Sequence, residues 1–200
     1  MSMIPELMGG RSLSHPLPLA VGKSSSKMYV GGQANADVAA GTALTDTATE
    51  ANLTQNAIPA DSLVVGSTVR AQYAVVASAV AGGTDNLIVD LTLGASATGS
   101  GNESTVVNAV FDVNTAGDCS LGDVVIQIRT VGTSGTAVAW GSLSNPDTSG
   151  TLAGVSYFKA SFTVDTTVLN YLTVTGKWSN GDANTCASQG FIVDIVNPST

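Results

Sequence analysis

The chain predicts an all-β fold, an antiparallel β-sandwich of jelly-roll type with about eight or nine strands, and three observations lead there. Charged residues make up only 11% of the chain and hydrophobic ones 44%, with Val and Thr abundant, and β-branched side chains suit a pleated, half-buried surface. Apolar residues recur at every second position in several stretches, the period of a strand with one face in a core. Clusters of Gly, Asn, Asp and Ser separate these stretches, several short enough for hairpins, and no convincing helical period exceeds a turn or two. At 200 residues the chain suffices for one domain, read as an extended N-terminal arm over 1–36 and a sandwich body over 37–200.

Strands are expected at 49–58, 67–80, 86–93, 104–113, 123–131, 135–142, 153–164, 169–178 and 188–196. "STVRAQYAVVA" alternates, with Val69, Ala71, Tyr73 and Val75 on one face and Arg70 and Gln72 on the other. "DNLIVDLTLG" turns Leu87, Val89, Leu91 and Leu93 inward and Asp90 and Thr92 outward, and "DVVIQIRTVG" sets Val124, Ile126 and Ile128 against Gln127 and Arg129. Trp178 continues the phase of Leu172, Val174 and Gly176, which places it in a core or an interface. "DVAAGTALTDTATEAN" has alanines but also threonines and a glycine, and reads as loop or short helix. The connections "AVAGGTDN", "GASATGSGNES", "NTAGDCSLGD", "GTSGT", "SNPDTSG" and "SNGDANTCASQG" are turn clusters.

Residues 1–36 lack either period and carry Pro5, Pro16, Pro18 and paired glycines, so in isolation they cannot bury enough surface to offset their ordering entropy. They are nevertheless too apolar for an inert linker. The expectation is an arm that orders on a partner or a neighbouring subunit through Ile4, Leu7, Arg11, Leu13, His15, Leu17, Leu19, Lys23 and Lys27. A disordered leader, or an arm packed back on its own body, is the competing reading. Gly22-Lys23-Ser24 ends like a phosphate-binding loop, but Leu17 stands where that loop needs its first glycine, beside Pro16 and Pro18, which lack amide donors.

Net charge is −8, divided unevenly: Arg11, Lys23 and Lys27 against Glu6 make the arm +2, and the rest of the chain is −10. Such a balance argues against nucleic acid as the main partner. Neither a secretory signal nor an apolar stretch long enough to span a membrane is expected.

His15 is the only histidine, which excludes a His-dependent triad and a multi-histidine metal site by count. Asp90, Asp112, Asp123, Asp165 and Asp194 lie at or near strands, mostly on the polar phase or at strand ends, where solvation or turn capping accounts for them. "NGDANT" and "NTAGDCSLGD" offer oxygen ligands without the spacing of an EF-hand calcium loop. No catalytic residue, cofactor or metal is therefore expected. Trp140 and Trp178, with Tyr73, Tyr157 and Tyr171, could form a sugar-stacking platform. Asn52 and Asn102 head Asn-X-Ser/Thr triplets, which matter only in a glycosylating compartment. Cys119 and Cys186, in turn clusters, are too few for a disulfide scaffold or a zinc site, and whether they pair is open.

"EANLTQNAIPADSLVVGSTVRAQYAVV", with Ile58-Pro59-Ala60, Leu63, Gly66 and Val69-Arg70, resembles the opening segment of jelly-roll structural proteins from tailed bacteriophages. "LIVDLTLG", "VIQIRTVGTSGTAVAWG" and "FTVDTTVLNYLTVTGKWSNGDANTCASQGFIVDIV" are similar to the remainder, so the resemblance covers about residues 45–197. It implies a virion protein on the capsid exterior, made in the bacterial host cytoplasm, either a capsid decoration (cement) protein or a module of a fibre, spike or tail that binds a host receptor. The arm favours the first, with the major capsid protein as partner and a homo-oligomer, a trimer, as the assembly. A carbohydrate-binding module or glycosidase on the same sandwich is the further alternative.

Overall fold

The alternating stretches pair into two antiparallel sheets whose apolar faces meet. The structure, a computed structural model, describes residues 35–37, 41, 43–45, 47–79, 85–96, 103–113, 115–146, 152–180 and 183–198, and no helix occurs among them. In chain order the strands are β1 (Asn35–Asp37), β2 (Leu44–Thr45), β3 (Ala51–Ile58), β4 (Thr68–Ala79), β5 (Asp85–Gly94) and β6 (Glu103–Val113). They continue with β7 (Cys119–Thr130), β8 (Gly135–Pro146), β9 (Leu152–Val164), β10 (Asn170–Trp178) and β11 (Thr185–Val196). The larger sheet runs β1-β11-β4-β7-β8-β9, with β2 also on β11, and the smaller runs β3-β10-β5-β6.

The pairs β4–β11 and β5–β10 are nested around the β7–β8 hairpin, as a rolled-up ribbon requires. β6 stays beside β5 and β9 beside β8, and these two strands meet across the open side of the sandwich. There the Ser104 hydroxyl donates to the Thr163 carbonyl at 2.7 Å, and the Lys159 ammonium donates to the Thr105 carbonyl.

The core follows from the alternation. Val69, Ala71, Tyr73 and Val75 of β4 are buried, as are Leu87, Val89, Leu91 and Leu93 of β5, and each fully buried aliphatic side chain stabilises by about 1.5–3 kcal/mol gross. Trp178 is buried at the end of the inner row of β10, opposite Leu87. Tyr73 faces Gly122 across β4 and β7, and a Cβ at Gly122 would run into the tyrosine ring. Burial pushes the Tyr73 hydroxyl up to about 12, so it stays protonated.

Several expectations need correction. Asp90 and Thr92, expected in solvent, do lie on the outer face, but both are buried. β5 is an interior strand, and they are flanked by Thr175 and Thr173 of β10 and by Asn108 and Thr105 of β6. The Asn108 amide donates to Asp90 at 2.6 Å. Described residues between 41 and 50 contain the short strand β2 where a loop or short helix was expected. β1 straddles the expected boundary between arm and body and pairs with β11.

The cysteines are in strands, not turns. Cys119 opens β7 opposite Val76, and Cys186 lies in β11 opposite Ala77, so they flank β4 from its two sides at adjacent positions that face opposite ways. Two inter-strand gaps, about 9–10 Å, separate their backbones, too far for a disulfide, and neither cysteine is disulfide-bonded. Burial raises both, Cys186 to about 12, so neither is an activated thiolate.

Candidate functional site

The outer face of the larger sheet gathers the most varied exposed chemistry. Arg70 and Gln72 sit on the outward phase of β4, Asp123 and Val125 on that of β7, Trp140 and Ser142 on that of β8, and Ser156 and Phe158 on that of β9. Register turns these into two rows across the strands: Asp194, Arg70, Val125, Trp140, Phe158, and beside it Ile192, Gln72, Asp123, Ser142, Ser156. Between Trp140 and Ser142 lies Gly141, where a Cβ would collide with the Asp123 backbone, so β8 can approach β7 this closely only with glycine. An open groove of about 590 Å³ runs over Arg70, Asp123, Trp140, Ser142, Ser156 and Tyr157.

One ion pair organises its polar side. Arg70 donates through Nε to Asp123 Oδ1 at 3.0 Å and through Nη2 to Oδ2 at 2.6 Å, and Gln72 Nε2 donates to Oδ2 at 3.3 Å. Hydrogen bonding from Arg70 holds the Asp123 carboxyl below its usual range, and Asp123 in turn raises the guanidinium, with Asp194 adding a smaller pull. Asp123 is thus an ionised acceptor, not a general acid. On the apolar side Trp140 is 39% and Phe158 69% exposed, directly opposite one another.

The other carboxylates are dispersed. Asp90 lies on the opposite sheet, where burial raises its pKa, and Asp112 is exposed near the end of β6. Asp165 Oδ1 accepts from the Thr167 amide at 2.9 Å and hydroxyl at 2.6 Å, a turn cap. In the two loops weighed for calcium, Asn180 and Asn184 turn amide donors onto the buried Asp85, and Asp118 accepts from the Thr115 amide and hydroxyl, both at 3.1 Å. Among the described residues no group of three His, Cys, Asp or Glu side chains is placed to hold a metal.

Of the aromatics expected to form a platform, Trp140 and Tyr157 reach the groove. Tyr73 and Trp178 are in the core, and Tyr171 lies half-buried on the outer side of the smaller sheet, opposite Ala57 and Gly94. Sequence reasoning missed Phe158. The pairing of β8 with β9 shifts register at a bulge between Ala137 and Ala139, so Phe162 faces the core while Phe158, four residues earlier, faces out. Strict alternation puts both on one side. Asn52 lies half-buried in β3 with its amide donating to Gln55 at 2.6 Å, whereas Asn102 falls outside the described residues.

Three of the turns on which the expected resemblance rested meet at one end of the sandwich. Thr166 of "VDTT" accepts at its carbonyl from the Asp61 amide at 2.9 Å, just after Ile58-Pro59-Ala60, and its hydroxyl accepts from the Gly132 amide of the Gly-Ser hairpin at 2.9 Å. That pattern is a junction of three turns. Ile4, Leu7, Arg11, Leu13, His15, Leu17, Leu19, Lys23 and Lys27, the expected partner contacts, all lie outside the described residues. Compared with known proteins, the chain matches no protein-family model and no curated protein.

Proposed function

We propose that the chain is a virion structural protein, a capsid decoration (cement) protein that binds the outside of a phage head and stabilises it through its N-terminal arm. The observation that carries this reading is the division of the chain. A segment of net charge +2, rich in Leu, Ile and Met, precedes a sandwich that bears the remaining −10. The apolar side chains of such an arm supply affinity when buried on the major capsid protein, about 1.5–3 kcal/mol gross for each of Ile4, Leu7, Leu13, Leu17 and Leu19, less the cost of ordering. Arg11, Lys23 and Lys27 suit an acidic shell surface, and Pro5, Pro16 and Pro18 reduce the entropy lost on docking. An acidic body keeps decorated particles apart in solution.

Homotrimerisation belongs to the same proposal. The sheets end in the long strands β6 and β9, which carry exposed Val110 and Val155, and association between copies is one way to cover such edges. Three arms on one trimer would then bind with a shared effective concentration.

The test is deletion of residues 1–34, which leaves β1 and its pairing with β11 in place. The truncated chain is expected to keep the β-rich circular dichroism and thermal midpoint of the full chain and to lose co-sedimentation with heads stripped of the protein. Undiminished co-sedimentation overturns the arm mechanism.

A further inference from the structure

We infer that the groove on the outer face of the larger sheet, between Trp140 and the Arg70–Asp123 pair, binds a neutral oligosaccharide. This site is separate from the arm and does not depend on the capsid reading.

A sugar ring presents an apolar face of C–H groups and a rim of hydroxyls. Its recognition calls for an exposed aromatic surface beside planar polar groups that can pair with adjacent hydroxyls. The sheet face places these two elements in neighbouring rows, with Trp140 beside Asp123, Ser142 and Ser156 in the groove itself and Phe158 and Gln72 on the same face at its margin. The polar groups retain unused capacity. Arg70 engages Asp123 through two N–H groups, and a guanidinium has about five. Asp123 accepts from Arg70 twice and from Gln72 once, and a carboxylate offers about four lone-pair positions. The two serine hydroxyls stand opposite one another across β8 and β9. Locked by mutual bonds, Arg70, Gln72 and Asp123 are preorganised, which lowers the entropy lost on binding.

Charge selects among glycans. Arg70 is neutralised by Asp123 and faces Asp194 on its other side, and the body around it is acidic, so an anionic polysaccharide is repelled. Length follows from the rows. From β4 to β9 there are three inter-strand gaps, about 14 Å, a span that several linked sugars fill and one does not. The exposed Arg70–Asp123 pair, with side chains 50% and 39% accessible, argues against a dry contact with a second copy of the chain, since burying such a pair costs desolvation that a wet sugar interface avoids. Among the described residues no second carboxylic acid lines the groove beside Asp123, so the activity inferred for it is binding.

The full-length chain is to be screened on a glycan array carrying neutral, sialylated and sulfated oligosaccharides. The strongest neutral ligand and its monosaccharide are then titrated against the wild type, Trp140→Ala and Gln72→Ala, with tryptophan fluorescence and calorimetry as readouts. Trp178 is buried, so a fluorescence change on binding reports Trp140. The expected result is selective binding of a neutral oligosaccharide, with the monosaccharide much weaker and Trp140→Ala reducing affinity about tenfold at an unchanged thermal midpoint. Binding confined to acidic glycans, no neutral binding at millimolar ligand, or neutral binding that survives Trp140→Ala overturns the inference. Phe158→Ala, on the neighbouring strand, provides a second variant should Trp140→Ala fail to fold.

Discussion

Trp178 is 1% exposed opposite Leu87 in β10, while Trp140 is 39% exposed opposite Val125 and Phe158 in β8. Both stand in paired strands of a sandwich, and what separates them is which face of the strand carries the ring. Trp178 looks toward the other sheet and completes the row Leu172, Val174, Gly176. Trp140 looks away from it, beside an ion pair in water. A buried aromatic is thus part of the fold's stability, and one held out on a rigid sheet is free to meet a ligand.

The sharpest break of this comparison is a pair of truncations followed by urea denaturation. Trp178→Ala is expected to cost about 3–5 kcal/mol through lost transfer energy and the cavity left behind, and Trp140→Ala to stay within about 0.5 kcal/mol of wild type. Equal losses would mean that Trp140 is packed in the protein's working assembly. Next in size, Thr166→Ala leaves the Gly132 amide without its acceptor, at a site 3% exposed, and an unfolding loss of about 1–3 kcal/mol is expected. Unchanged stability would show that the three-turn junction is held by its backbone bonds alone.

The smallest effect carries the comparison to the other sheet, whose outer face holds Asp90. Burial keeps its carboxyl above the usual range, so between the unfolded and the folded value the folded chain retains a proton that the unfolded chain has lost. The stability tied to that proton is complete below the unfolded value, near pH 3.9, and disappears as pH rises through the folded value. Asp90→Asn keeps an oxygen acceptor for Asn108 and removes the charge. A slightly higher thermal midpoint at pH 7, with the gain vanishing below about pH 4, is the expected result. A lower midpoint at pH 7 would mean that the ionised carboxylate is itself needed there.

Much of the fold was legible because its strands alternate. Val69 through Val75 and Leu87 through Leu93 are buried as their period requires, and Trp178 follows its row inward. Strand ends were harder to read. β7 begins at Cys119 within a cluster rich in Gly, Asp and Ser, because pairing with β4 continues through residues of low strand propensity once the hairpin with β8 is set. The candidate site was legible only in part. Trp140 and Tyr157 were noticed as aromatics, but Phe158 joins them through a bulge that alternation cannot register, and the Arg70–Asp123 pair spans 53 residues. Such long-range partners arise from topology, which local pattern does not encode.

The nesting of β4 with β11 also bears on how the chain is made. β11 follows every other described strand in the sequence, yet it lies inside the larger sheet, between β4 and the short strands β1 and β2. β4 therefore waits through more than a hundred residues of synthesis for one of its two neighbours, β3 waits slightly longer for β10, and β5 waits through a shorter stretch for the same strand. Neither sheet can close until β10 and β11 have left the ribosome, so closure has the slow kinetics of distant strand pairing. During that interval the unpaired edges of β3, β4 and β5 are open to other chains, and the growing polypeptide is most vulnerable to misassembly just before β10 and β11 emerge.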